Sequence, residues 1–280
     1  MCGFAGEQSL GRRYQKLSLG YPKDLRAYVL GSSVQYRKHY EGRLGILGVG
    51  MRNKGKHLPY MAFSHNWLVH KIAYQELQRV ASKYAHGSLL DIGCGDKPYK
   101  DLFLPYVIEH IGVDHEDTLH DKAKIDLFGT AYNIPGEDEY FDTVLCTAVL
   151  EHLEEPDKAV KEASRVLKTG GYAIYSAPLF WHLHEEPSDF YRYTQYGLRY
   201  LFEKNGFEIV ELKPLSGFWV TFGQELVYYL WRFRGGGRLN PLWWIIPPIG
   251  MIIQVIYYLL NNIDHSEGFT WMYLVVARKT

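Results

Sequence analysis

A seven-residue run, Leu89-Leu90-Asp91-Ile92-Gly93-Cys94-Gly95, carries the strongest chemical signal in the chain. An apolar segment enters a turn with glycine at alternate positions. Glycine there lets the backbone pass close beneath a ligand, where a Cβ would clash. A dinucleotide fingerprint needs a third glycine, but Pro98 stands in its place, which disfavours a pyrophosphate clamp at the next helix start. Asp91 would repel a phosphate and suits a cationic ammonium. Asp114, 21 residues beyond Gly93, can reach the paired hydroxyls of a ribose. Asp126 can accept a hydrogen bond from an adenine amino group. Cys146 and Thr147 close a further apolar run. A second concentration of reactive groups lies in residues 178–194, PLFWHLHEEPSDFYRYT. His184 is the first choice for a base, since imidazole accepts a proton near neutral pH. His182 and Asp189 are further catalytic candidates. Glu185, Tyr191, Arg192 and Tyr193 are candidate contacts to a polyhydroxylated substrate.

Positioning these residues requires strands that end at the ligand. Helical periodicity runs from Ser64 to Tyr84. Strands are predicted over 88–92, 110–114, 124–127, 141–147, 172–177, 207–212 and 271–277. Helices are predicted over 98–107, 156–167 and 195–204 between them. Alternating strands and helices imply an α/β, doubly wound, mostly parallel sheet. Asp114, Asp126, Cys146 and Thr147 then fall at the carboxyl ends of strands, where open α/β sheets bind ligands. Residues 218–233 read as an aromatic-rich helix, and Gly235-Gly236-Gly237 ends it. From Leu239 to Ile263 there is no charged residue. The length alone is that of a membrane span. A span would, however, place the strand at 271–277 across the bilayer from its sheet. Pro247-Pro248 also predicts a break into two short helices or a re-entrant hairpin.

The composition is that of an ordinary globular chain, with 280 residues, 47% hydrophobic and 22% charged. The 31 basic and 31 acidic residues exclude a uniformly basic nucleic-acid binder, and no nucleic-acid partner is expected. Residues 1–56 nevertheless hold eleven Lys or Arg against three acids, with ten glycines. They read as a basic arm suited to anionic phospholipid or a phosphorylated substrate. The expected organisation is a glycine-rich arm over 1–63, a core over 64–217, an apolar insert over 218–264 and a closing strand over 265–280. Cys2, Cys94 and Cys146 form neither a disulfide framework nor a paired zinc motif, and no basic-then-apolar leader opens the chain. The expected compartment is the cytoplasm, at the inner face of the membrane if residues 239–263 touch lipid. A homodimer contact is the other expectation for that stretch.

LLDIGCG, VDHED, the run IDLFGTAYNIPGEDEYFDTVLCTAVLEHLEEPDKAVKEASRVLKTGGY and NGFEIVEL resemble class I S-adenosylmethionine-dependent methyltransferases. The resemblance covers residues 86–214 and the last strand. It implies a seven-stranded Rossmann-like sheet with the last strand antiparallel, and S-adenosylmethionine as cofactor. Gly93, Cys94 and Gly95 would surround its methionine part with Asp91, Cys146 and Thr147 nearby. Asp114 would hold the ribose, and Asp126 with Leu127 would lie near the adenine. GCGDKPY and HLHEEPSDFYRYT are similar to a bacterial, type 11-like branch that modifies sugars, polysaccharides and lipid-linked glycans. O-methylation of such a hydroxyl is the first expectation. The alternatives are a small aromatic or quinone-like acceptor, or a non-catalytic cofactor-binding scaffold. Some relatives hold a divalent metal through ExxEH at the position of Glu151-His152. Here Ala148 replaces the first glutamate, so no metal is expected. The opening Met1-Cys2-Gly3-Phe4-Ala5-Gly6 looks like a class II amidotransferase start, but nothing downstream supports that fold.

Overall fold

A computed structural model describes residues 64–118, 120–264 and 266–280. The basic arm and the Met1–Gly6 motif lie outside the described residues. Seven strands form one sheet in the order β3-β2-β1-β4-β5-β7-β6. They are β1 (Ser88–Ile92), β2 (Glu109–Asp114), β3 (Leu127–Phe128), β4 (Phe141–Thr147), β5 (Leu167–Pro178), β6 (Phe207–Pro214) and β7 (Met272–Lys279). β7 runs antiparallel to both β5 and β6, and the other pairings are parallel. The order in which strands are added reverses between β1 and β4, the switch point at which such sheets bind ligands.

Strand alternation produces two cores from one sheet. Leu90, Ile92, Val144, Cys146, Tyr175 and Val275 point to one face, covered by α3 (Pro156–Val166) and α4 (Gln195–Glu203). Leu89, Leu145, Ile174, Leu274 and Val276 point to the other, covered by α1 (Trp67–Tyr84) and α2 (Lys100–Phe103). Two predicted elements come out shorter. The helix expected over 98–107 is only α2, because Leu102 and Phe103 are buried while Leu104 and Tyr106 are exposed. The strand expected over 124–127 begins only at Leu127, because residues Lys122–Lys124 form a 3₁₀ turn capped by the Asp121 side chain.

Between β6 and β7 the chain forms α5 (Phe218–Trp231) and α6 (Leu242–Asn261). Pro247 and Pro248 lie inside α6, which is continuous, so the expected break into two short helices is corrected. Packing on α5 overrides the proline penalty. Ile246, Gly250 and Gln254 are buried on that side, and a Cβ on Gly223 of α5 would stand 2.5 Å from the Tyr257 ring. Gln254 also completes α1. That helix has no local side-chain cap, and the Gln254 Oε1 accepts the Leu68 N–H at 2.9 Å. Gln254→Met preserves the bulk and strands this buried donor. The expected cost is about 1–3 kcal/mol, read as a lower denaturation midpoint at unchanged m-value.

Candidate active site

The turn after β1 is built on backbone that other residues resist. Gly93 has φ +65°, and a Cβ there would stand 2.6 Å from a Val149 methyl. Both the left-handed backbone and the close approach require glycine. The Gly93 and Cys94 amides donate to the Val113 carbonyl at 2.9 and 3.2 Å, fixing the turn across the end of β2. The Cys94 thiol is buried, and desolvation pushes it up to about 12, so this residue contributes backbone and packing.

Asp114 ends β2, and its carboxylate braces the same turn. It accepts the Gly95 N–H at 2.9 Å and the His115 N–H at 2.8 Å, with Thr118 Oγ1 at 3.4 Å. A carboxylate has about four acceptor sites, so capacity remains for a hydroxyl donor. Asp91 is buried, with Oδ2 2.9 Å from His110 Nε2. Burial raises its carboxyl above the usual range. Cys146 is buried in β4, and Thr147 stands at the strand's end.

Asp126 is a correction. It precedes β3 instead of ending it, so it sits at the amino end of that strand. Its Oδ2 accepts the Gly112 N–H at 2.6 Å and the Lys97 ammonium, which ties the glycine turn to β2. Leu127 follows as the first residue of β3, paired with Val113. The carboxyl end of β3 instead presents Phe128-Gly129-Thr130.

A cavity of about 270 Å³ adjoins the ends of β4 and β5. Thr147, Ala148 and Glu151 line it from the segment after β4, and Ser176, Trp181 and His184 from β5 and the loop beyond. The far wall is Asn66, His70 and Ala73 at the start of α1, with Tyr228 of α5 and Trp271 before β7. Asn66, His70, Tyr228 and Trp271 were not singled out from sequence. The available signal was the polar pair Asn66 and His70 beside an apolar α1 stripe of Val69, Ala73 and Leu77.

His184 is held for its place in this wall. Its Nδ1 lies 3.3 Å from Asp189 Oδ2 and 3.3 Å from the His182 carbonyl. Asp189 is clamped by Arg192 through two contacts of 2.6 and 2.7 Å, which hold its carboxyl well below the usual range. Asp189 therefore positions the imidazole. Burial lowers the His184 pKa despite that carboxylate, leaving a neutral ring at pH 7. Glu151 is 1% exposed, and its Oε2 has no hydrogen-bond partner. Desolvation pushes its carboxyl up to about 8. Glu151, His152 and His184 each place one ligand atom within 4.8 Å of the others, three donors that could hold a metal.

The expected substrate contacts do not line the cavity. Tyr193 is buried in the core and donates its hydroxyl to the Leu150 carbonyl at 2.9 Å. Tyr191 donates to the Glu154 carbonyl at 3.0 Å, and Arg192 to the Trp181 carbonyl at 3.1 Å. Glu185 stands exposed beside His152, 3.7 Å away. His182, also outside the lining, has its ring nitrogen 3.3 Å from a Glu225 carboxylate oxygen. Tyr191, Arg192 and Tyr193 therefore brace the loop through backbone carbonyls, while Glu185 and His182 stand outside the cavity lining.

The fold has counterparts among known proteins. A methyltransferase domain model matches residues 90–175. A Mycolicibacterium smegmatis protein named as a probable S-adenosylmethionine-dependent methyltransferase is 29% identical over 187 residues, covering 64% of this chain and 67% of that protein. A Coxiella burnetii ubiquinone biosynthesis O-methyltransferase is 27% identical over 135 residues, covering 45% of this chain and 54% of that protein. The crystal structure of the [4+2]-cyclase SpnF matches with a TM-score of 0.53 at 20% identity, over 88% of this chain and 96% of that one, a likeness of fold alone. The chain thus carries an S-adenosylmethionine-dependent methyltransferase domain of Rossmann-like, class I architecture. It is an enzyme of that class.

Proposed function

We propose that this enzyme methylates a hydroxyl on a compact, apolar, ring-bearing acceptor bound in the cavity beside Thr147. The lining carries this reading. Val69, Ala73, Leu77, Trp181, Tyr228 and Trp271 offer apolar and aromatic surface, with Glu151 and His184 among few ionisable groups. Such walls fit a ring and poorly satisfy many hydroxyls. The sugar or glycan reading draws on the likeness of GCGDKPY and HLHEEPSDFYRYT to a glycan-modifying branch, but Tyr191, Arg192 and Tyr193 of that loop bond to backbone carbonyls and do not line this cavity. The relative named for ubiquinone biosynthesis supports an aromatic or quinol-like acceptor.

The residues present fit the cofactor. The left-handed glycine turn at Gly93 and the Asp114 carboxylate that accepts the Gly95 N–H stand at adjacent strand ends. When bound, the cofactor supplies an electrophilic sulfonium methyl. The chain's work is to exclude water, aim the acceptor oxygen and remove its proton. His184, neutral and held through Nδ1, takes that proton. Trp181 and Trp271 shield the site from solvent.

The test is transfer of labelled methyl from S-adenosylmethionine into a fractionated cell extract. Label is expected in the organic-soluble fraction, in a species with a hydroxylated ring. Label confined to water-soluble polysaccharide would overturn the acceptor assignment.

A further inference from the structure

We propose that the α5–α6 hairpin seats this enzyme in the surface of an anionic lipid bilayer, with α6 lying in the membrane plane. Among the described residues, α6 is the one helix long and apolar enough to cross a membrane, yet only 17% of that stretch is buried. Its inner side packs on α5. Its outer side presents Ile245, Ile249, Ile252, Ile256 and Leu259, all exposed. Their spacing of three and four places them on one helix face. The patch continues beyond α6. Phe222 stacks on Phe218 at 5.6 Å, Phe218 meets Phe269 at 5.5 Å, and Phe269 stacks on Phe180 at 6.1 Å. Phe180 adjoins Trp181 of the cavity wall.

Tertiary contacts prevent this hairpin from plunging across the bilayer. At one end the Gly217 N–H donates to Asn261 Oδ1 at 3.0 Å, and β6 and β7 hold both flanks in one sheet. Along its length Gln254 caps α1, and Gln224 donates to the His65 carbonyl at 2.8 Å. At the far end the Trp231 ring lies 4.7 Å from His65. The hairpin therefore lies against the domain from end to end, and only its outer face is free to enter lipid.

Charge and side-chain type identify the occupant. Residues 226–263 contain Arg232, Arg234 and Arg238 and no acid. Arg234 is sandwiched between Trp231 and Trp243, 4.1 Å from each ring centroid. Exposed Tyr229, Phe233 and Trp244 surround this basic tip. Arginine beside Trp and Tyr is the pairing found where headgroups meet acyl chains. A protein partner would need hydrogen-bonding groups in its interface, and the outer stripe from Ile245 to Leu259 supplies no polar side chain. Apolar acceptors partition into the same layer, and Tyr228 of the hairpin lines their cavity.

The test is flotation of the full chain with vesicles of phosphatidylcholine alone or mixed with phosphatidylglycerol, alongside calorimetry of cofactor binding and measurement of oligomeric state. The wild type is expected to float best with the mixed vesicles. Ile252→Glu with Ile256→Glu should abolish flotation at unchanged cofactor affinity and unchanged Tm. Arg232→Gln with Arg238→Gln should weaken binding to mixed vesicles roughly thirtyfold and leave binding to neutral ones unchanged. This pair decides the matter if the glutamate variant does not fold. A wild type that floats with neither vesicle, glutamate variants that float unchanged, or a dimer that those variants split would overturn the proposal. Methyl transfer to a water-dispersed acceptor should persist in both variants. Its absence from the wild type would count against the acceptor reading, not the membrane seat.

Discussion

Exchange of His184 for alanine is expected to lower turnover by about 10²–10⁴-fold, the usual contribution of a positioned base, with cofactor affinity unchanged. The imidazole lines the acceptor cavity and stays neutral at pH 7 because burial lowers its pKa. A base acts only when unprotonated, so the wild-type rate should fall as pH drops below the ordinary histidine range. Glu151 adds a second limb. Its carboxyl, pushed up to about 8 by desolvation, is protonated at pH 7. Above about 8 it ionises within 4.8 Å of a His184 nitrogen and makes that ring more basic. The rate should therefore rise again there, and Glu151→Gln should erase that upper limb alone. The same shift has a stability consequence. Unfolded, the carboxyl ionises near its ordinary 4.5; folded, it keeps its proton to about 8, so stability should fall as pH rises between them. A His184→Ala enzyme that loses cofactor affinity as much as turnover would make His184 a brace like its loop neighbours.

Asp114→Ala is expected to weaken S-adenosylmethionine binding by about 1.5–3 kcal/mol, roughly ten- to hundredfold in Kd. A carboxylate accepting a ribose hydroxyl makes a charge-assisted bond that alanine cannot replace. The Gly95 and His115 amides also lose their acceptor, so the glycine turn loosens with the contact. Asp114→Asn keeps one acceptor oxygen and should lose less. Calorimetry with both variants, beside circular dichroism to confirm folding, reads the effect. Unchanged affinity in the alanine variant would remove Asp114 from the ribose.

The sheet was legible because its signals are local. Strand alternation and the glycine turn located β1, and the run FDTVLCT matched β4 to the residue. Asp114 was placed by its distance along the chain from Gly93. What sequence could not show was which way side chains in a loop turn. Tyr191, Arg192 and Tyr193 look like a substrate surface until the Leu150, Glu154 and Trp181 carbonyls claim their polar atoms. Those partners are 11 to 43 residues distant, beyond any local pattern. The same holds for Gln254, whose partner Leu68 is 186 residues away. Asp126 was misplaced by a smaller cause, a 3₁₀ turn that used the residues read as the strand's beginning.

The position of β7 bears on how this protein is made. It lies between β5 and β6, and Val275, Val276 and Ala277 are fully buried there. It nevertheless follows both neighbours in the chain. While the ribosome is still adding residues before Met272, β5 and β6 each present an unpaired edge and cannot pair correctly with one another. The α5–α6 hairpin, greasy on both sides at that stage, emerges during the same interval. Open edges and bare apolar helices together are the surfaces that aggregate and that holding chaperones bind. The sheet closes only when the strand beyond the hairpin leaves the exit tunnel, so nascent chains halted inside the hairpin are the species most exposed to misassembly.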